Sequence, residues 1–261
     1  MKKMLYILTC AALVAMPILS ASAKVTFHAA LESKEQVEAT GGSVVGGGSF
    51  VPGVIGNGFI SDETEAVVHY PFEGHIPGYQ EQGTLECWLV LGWDLNKFSD
   101  VTDKAEAFMF WSYNKAGTDA IGLMVGGGHN TPIAWFRVRE VDEEWHSAAS
   151  EELDWKEGEA HHMLGTWGPN AVNLYLDGEW AADDPYVGGP KNPIERLSIN
   201  NNESDPASFA TFSIVDELRI HDVQLDDDEV AALYEQRVAE AATSVDPTAK
   251  LATTWAAVKR Q

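Results

Sequence analysis

From Val25 to Ile220 the sequence is broken into short apolar-rich runs closed by turn residues, and in several of them apolar residues recur at every second position. A period of two suits a pleated strand with one buried face, and it cannot be served by helices. Val25–Leu31 opens the series, with Val25, Phe27, Ala29 and Leu31 on one face. Ala66–Tyr70, Leu85–Leu91, Ala107–Tyr113, Ile121–Val125 and Ile133–Val141 continue it. His161–Trp167, Val172–Leu176, Arg196–Asn200 and Phe212–Ile220 complete it. Asp177-Gly178, directly after Leu174-Tyr175-Leu176, is a strong hairpin signal. Gly41–Gly48 reads as a flexible connection, since the lysine and helix that a phosphate loop needs are missing. Only one segment reads as a helix: Asp226 at the N-cap with Glu229 at N3 forms a capping box, and Val230, Leu233 and Tyr234 follow at helical spacing. The acidic run Asp226–Glu229 resembles a metal cluster, but carboxylates at the positive end of a helix are the better explanation. About ten strands around one core with a single late helix predict an all-β fold, a two-sheet antiparallel jelly-roll β-sandwich with one C-terminal helix.

The ends differ from this body. Lys2 and Lys3, the apolar stretch Met4–Ser20 and the small-x-small triplet Ala21-Ser22-Ala23 form a signal peptide over 1–23. The expected location is therefore extracellular, periplasmic or cell-surface. The stretch is too short to read as a membrane span. The domain then covers 24–242, and 243–261 is a tail in which Asp246 faces Lys250, Lys259 and Arg260, with Trp255 on a small apolar stripe. Of the two cysteines, Cys10 leaves with the signal, so Cys87 has no disulfide partner within the chain and reads as a core residue. Charge narrows the partners: 17 basic against 40 acidic residues give −23, a surface that repels phosphate and leaves no role for nucleic acid.

Three further segments carry a resemblance. Gly83-Thr84-Leu85-Glu86-Cys87-Trp88-Leu89 is the first, and His161-His162-Met163-Leu164-Gly165-Thr166-Trp167 running on to Leu174-Tyr175-Leu176-Asp177-Gly178 is the second. The third is Ile214-Val215-Asp216-Glu217-Leu218-Arg219-Ile220 with the capped helix to Tyr234, and Val51-Pro52-Gly53-Val54-Ile55-Gly56-Asn57-Gly58-Phe59 adds an early match. In this order they resemble the laminin G-like jelly roll of the concanavalin A-like lectin/glucanase superfamily, in its bacterial secreted branch. His221 departs from it, standing where Tyr is usual.

Asp216 is the first candidate residue. Alternation puts Phe212, Ile214, Asp216, Leu218 and Ile220 on one face, with no Lys or Arg among them. A carboxylate there must be paired, hydrogen-bonded or bound to a metal. Ca²⁺ suits a carboxylate with backbone carbonyls, and backbone N–H donors are the alternative. The resemblance implies a structural calcium on this Asp, with carbonyls from around His28 and Asn57-Gly58.

Glu152, Asp154 and Glu157 spell E-x-D-x-x-E, which resembles the catalytic signature of laminarinase-type glucanases of the same superfamily. Lys156 departs from the hydrophobic residue expected between the acids, and the segment lies where the lectin-like proteins have a turn. His161 and His162, being neighbours in a strand, point to opposite faces and do not make a shared zinc site. A ligand surface is the last candidate: Trp135, Arg137 and Arg139 share a face opposite Ala134, Phe136 and Val138, with Tyr113 and Trp111 on one face of an earlier strand. Such a face can stack on a sugar and clamp its hydroxyls; the alternative is a core-margin Trp with Arg paired to Glu140 or Glu143. The resulting expectation is a secreted, non-catalytic, calcium-stabilised lectin-like module that binds an extracellular polysaccharide or a surface protein. The alternatives are a glucanase-like enzyme and a purely structural envelope or matrix module.

Overall fold

The computed structural model describes residues 23–61, 65–72, 79–97, 106–114, 118–127, 131–140, 144–201 and 210–244. The segment expected as a signal peptide, up to residue 22, and the expected tail from residue 245 lie outside the described residues. In chain order the strands begin with β1 (Val25–Ala29), β2 (Ser43–Val45), β3 (Ser49–Pro52), β4 (Asn57–Ile60), β5 (Val67–Pro71) and β6 (Gly83–Val90). Next come β7 (Ala107–Tyr113), β8 (Ala120–Gly127), β9 (Thr131–Arg139), β10 (Trp145–Ala149) and β11 (Ala160–Trp167). The series ends with β12 (Val172–Leu176), β13 (Glu179–Asp184), β14 (Arg196–Ile199) and β15 (Ile214–His221). A six-residue helix α1 (Lys34–Ala39) follows β1, and α2 (Asp227–Thr243) closes the described chain.

The strands form two antiparallel sheets. One has the order β13-β12-β11-β6-β15-β4-β3 with β1 also on β15, and the other β10-β9-β8-β7-β14-β5-β2. The alternation read from the sequence explains the core between them: Leu85, Cys87, Leu89 and Met163 of the first sheet meet Leu123, Phe136, Leu197 and Ile199 of the second. Cys87 is fully buried there, and burial pushes its thiol far up, with the Glu86 and Asp216 carboxylates adding to the effect. Asp177 and Gly178 take φ of 51° and 81° and turn β12 into β13.

The structure corrects several expectations. The Gly41–Gly48 stretch is not a plain connection, because it carries β2 and the approach to β3, and helix α1 precedes it. Strands β2, β3, β4, β10 and β13 are short or polar, and their period of two is weak in the sequence. Helix α2 runs to Thr243, one residue into the expected tail. Its capping box is present: Glu229 N–H donates to Asp226 Oδ1 at 3.0 Å, and Asp226 N–H to Glu229 Oε2 at 3.1 Å.

The largest correction concerns β15. Asp216 pairs with Trp88 and Arg219 with Glu86, so Glu217 and Leu218 together oppose the single residue Cys87. This is a β-bulge, and Glu217 adopts φ 53° within it. One extra residue reverses every later side chain. Asp216 therefore lies with Ile214 on the outer side of the sheet, whereas Leu218 and Ile220 face the core. Beyond the bulge Arg219 shares the outer side with Asp216, contrary to the alternation that left that face without a basic residue. The bulge also divides one edge of β15, which pairs with β4 at Ile214 and Val215 and with β1 from Leu218 onward.

Helix α2 covers the outer face of the first sheet. Ala241 packs with Val54, Ile60, Trp88, Val90 and Ile214, while Val230 and Leu225 pack on Leu164 and Tyr175. In the middle of this layer sits Glu86, with no solvent exposure. It accepts hydrogen bonds from Arg237 Nη2 at 2.7 Å and Arg237 Nε at 3.1 and 3.2 Å, and it meets His162 Nε2 at 2.8 Å and His221 Nε2 at 2.9 Å. Burial alone would push the Glu86 carboxyl up. The His162, His221 and Arg237 hydrogen bonds outweigh burial and hold it well below its usual range. Arg237 in turn binds both oxygens of Glu240 at 3.0 and 3.1 Å.

Replacing Glu86 by Gln removes one of the two carboxylates that pair with buried Arg237; such losses cost about 3–5 kcal/mol, and the lower end applies here because Glu240 remains. Urea unfolding of Glu86→Gln is expected to show a destabilisation of that order. Because the folded carboxyl is depressed, its contribution is present above the ordinary value of 4.5 and is lost as pH falls through the lower folded value. The wild type should therefore lose stability with acid more steeply than the variant.

Candidate functional site

The second sheet keeps its outer face free of helix α2, and the candidate ligand residues lie there. On β9, Ala134, Phe136 and Val138 are fully buried, while Trp135, Arg137 and Arg139 are partly exposed on the opposite side. The register carries this face across the sheet: Arg139 pairs with Ala120 and Trp145, Ala120 with Tyr113, and Arg137 with Gly122, which pairs with Trp111. The structure thus brings Trp135, Arg137, Arg139 and Tyr113 to one face.

Trp145 on β10 joins them and was missed from the sequence. It stands at the head of Trp145–Ala149, a run with too few apolar residues to signal a strand, yet its indole remains 41% exposed. The Arg137 guanidinium lies 4.1 Å from the Trp135 ring centre and 5.7 Å from that of Trp145, and the Arg139 guanidinium lies 5.0 Å from Trp145. Trp111 packs on Trp145 at 5.6 Å. Gly122 makes that possible, since a Cβ there would come within 2.6 Å of the Trp111 ring. Trp135 is fixed by donating its indole N–H to Gly126 O at 2.6 Å. Arg137 pairs with Glu106 at 3.2 Å, whereas Glu140 is engaged by Tyr186, His146 and Lys191; Glu143 lies outside the described residues. Flat, rigid rings beside fixed guanidinium donors form a surface suited to a ring with both an apolar face and hydroxyls.

Asp216 is fully buried. Its Oδ2 accepts the N–H groups of Val54 and Ile55, each at 2.8 Å, and its Oδ1 is buried with no hydrogen-bond partner. Burial raises its pKa well above the usual range. The Ile55 and Val54 N–H groups oppose that rise, and the Glu217 and Glu32 carboxylates reinforce it. Gly53 and Gly58 form its cradle, because a Cβ on Gly53 would meet Asp216 Oδ2 at 2.5 Å and one on Gly58 would meet Asp216 Cβ at 3.0 Å. Glu32, another residue sequence reasoning missed, accepts the Asn57 N–H at 2.9 Å. The His28 ring turns instead to Glu217 Oε2, 2.9 Å away, and its strand position pairs with Arg219. An unpartnered carboxylate oxygen in a glycine cradle is hard-oxygen chemistry of the kind calcium takes, although among the described residues no group of three or more His, Cys, Asp or Glu side chains is placed to hold a metal ion.

Glu152, Asp154 and Glu157 lie outside any strand, in the exposed connection between β10 and β11. Asp154 pairs with Lys156, and Glu157 N–H donates to Asp94 at 3.1 Å. The segment is anchored by Trp155, whose ring stacks on His161 at 3.8 Å. His161 and His162 do point apart: His161 meets Asp177 at 2.7 Å and His162 meets Glu86.

Against known proteins, the laminin G family model described as the concanavalin A-like lectin/glucanases superfamily matches residues 80–231. A comparison with curated protein sequences gave no match. Domain 4 of AbnA, an extracellular GH43 arabinanase from Geobacillus stearothermophilus solved with arabinotriose, superposes with a TM-score of 0.58 at 19% identity, covering 81% of this chain and 98% of that one. The binding domain of Paraclostridial Mosquitocidal Protein 1 gives a TM-score of 0.58 at 14% identity, covering 75% of this chain and 47% of that one. The receptor-binding domain of a botulinum neurotoxin C/D mosaic serotype gives 0.56 at 12%, covering 76% and 46%. The chain thus spans just under half the length of the toxin domains it matches. At these identities the likeness shows the fold: a jelly-roll sandwich. No helix among the described residues is long and apolar enough to cross a membrane. With more than half of the chain under the family match, and the two-sheet sandwich beneath it, the protein belongs to the concanavalin A-like lectin/glucanase superfamily.

Proposed function

We propose that this protein is a secreted, non-catalytic carbohydrate-binding module that grips glycan on the outer face of its second sheet and is stabilised by calcium. The observation that carries the reading is Trp145, left 41% exposed with the Arg139 and Arg137 guanidiniums 5.0 and 5.7 Å from its ring centre. An exposed indole stacks on the apolar face of a sugar, and the flanking guanidiniums donate to its hydroxyls. Trp135 and Trp111 hold the platform rigid, which keeps the ordering cost of binding low. The arabinotriose complex of the AbnA domain supports a carbohydrate partner and makes arabinan oligosaccharides sensible first probes. Its description as extracellular agrees with export through the signal segment. For calcium, the support is the unpartnered Asp216 Oδ1, with the Glu217 and Glu32 carboxylates close enough to act on it. Bound there, the ion would neutralise the buried carboxylate and fix the loop 53–57 against β15.

A glycan array that includes arabinotriose tests the platform. Saturable binding without reducing-sugar release is expected, weakened about 30-fold or more by Trp145→Ala, the scale of an interface anchor. Binding untouched by that change, or release of sugar that Glu152→Gln abolishes, would refute the proposal. For the metal, chelation should lower the wild-type melting temperature by several degrees and leave Asp216→Asn unmoved. A wild-type melt indifferent to both chelator and added calcium removes the ion from the account.

A further inference from the structure

At the entrance to β1 both backbone groups of Lys24 are engaged by one residue. Lys24 N–H donates to Asp222 Oδ1 at 3.0 Å, and Asp222 N–H donates to Lys24 O at 3.1 Å. The pair continues the antiparallel register of β1 on β15 one step beyond Val25 and His221. Ala23, the residue before, packs against the cluster of Leu164, Tyr175, Leu225 and Val230. These same two residues, Ala23 and Lys24, flank the cut expected after the small-x-small triplet Ala21-Ser22-Ala23.

Hydrolysis at that bond changes what Asp222 meets. Water adds across it: the water oxygen goes to the Ala23 carbonyl carbon, which leaves as a carboxylate, and both hydrogens go to the Lys24 nitrogen. A neutral amide facing Asp222 Oδ1 thus becomes an α-ammonium, and the hydrogen bond becomes an ion pair. Among the described residues no basic side chain pairs with Asp222, so its carboxylate is open to that cation. The location matters because β1 is paired with β15 alone, and its core anchors Phe27 and Ala29 lie further along. A chain end stays ordered only where it is tied down. Cleavage, in turn, needs backbone that is exposed and unengaged, which the docked Ala23–Lys24 bond is not.

We propose that Ala23–Lys24 is a processing site cut before β1 docks, and that Asp222 captures the α-ammonium the cut creates, fastening β1 to β15. This capture rests on export through the signal segment, and it involves neither the Trp145 platform nor the calcium ion.

The test exports the full chain from a bacterial host and reads the intact mass and the α-amine acylation rate of the purified product. The mass should place Lys24 first. Only an unprotonated amine is acylated, and a carboxylate at hydrogen-bond distance favours the protonated form. At pH 7 the wild-type α-amine should therefore react about three-fold or more slowly than that of Asp222→Asn. Inserting Ser-Gly between Ala23 and Lys24 moves the ammonium away while sparing Asp222 and the Lys24 amide. It should speed the reaction to the same degree, which covers the case in which Asp222→Asn fails to fold. For the order of events, a signal peptidase should cut a peptide of residues 12–30 about ten-fold or more faster than the folded full chain. Equal cutting of peptide and folded chain would overturn that order. A chain that stays uncut would overturn the processing site together with the export reading, and a first residue other than Lys24 would overturn the site alone. A product that begins at Lys24 but acylates no more slowly than the Ser-Gly chain would overturn the capture and leave export standing.

Discussion

A carboxylate with no access to solvent, in a sheet covered on both faces, is tolerable only where charges and donors surround it. Glu86 occupies such a position, and much of the architecture is arranged around it. Arg237 reaches it from helix α2, His162 from β11 and His221 from β15, so three elements distant in sequence are tied to one strand. This knot fixes the helix over the first sheet. With that sheet closed on the inside by the core and on the outside by α2, the second sheet is left to present its outer face. His221, the position that departs from the family's usual Tyr, is one of the groups that meet Glu86, through its Nε2.

The bulge at Glu217 is the second controlling feature. A strand that kept its register would send Asp216, Leu218 and Ile220 to one side, and a carboxylate would then face an apolar core. The extra residue places Asp216 over the loop 53–57 and returns Leu218 and Ile220 to the core. It also lets β15 take β4 along one half of an edge and β1 along the other. The candidate metal position and the division of the sheet edge thus share one local cause.

These features explain what could be read from the sequence. The sandwich was legible because β6 and β11 stand out as apolar-rich runs bounded by turns, β9 alternates clearly, and the capping box marked helix α2. On β9 the same alternation correctly separated Trp135, Arg137 and Arg139 from Ala134, Phe136 and Val138. The short strands β2 and β3 were hidden among glycines, and β10 among polar residues, so Trp145 went unnoticed. The side of Asp216 was misread because a bulge leaves no mark on a period of two. Glu86 was seen only as part of a strand motif, since its partners Arg237 and His162 stand 151 and 76 residues away. Contacts at that separation are set by how the layers stack, and no local pattern encodes them.

On the proposed function, the outer face of the second sheet is the surface that meets glycan. The protein's nine tryptophans are natural reporters, each with an indole N–H that NMR can resolve. The most direct measurement is a titration with the tightest-binding glycan, followed through all the indole signals. The account predicts shifts for Trp145, Trp135 and Trp111, with Trp167 in the core and the exposed Trp180 on β13 unmoved. Shifts confined to Trp180, or a bound glycan that leaves Trp145 undisturbed, would contradict it.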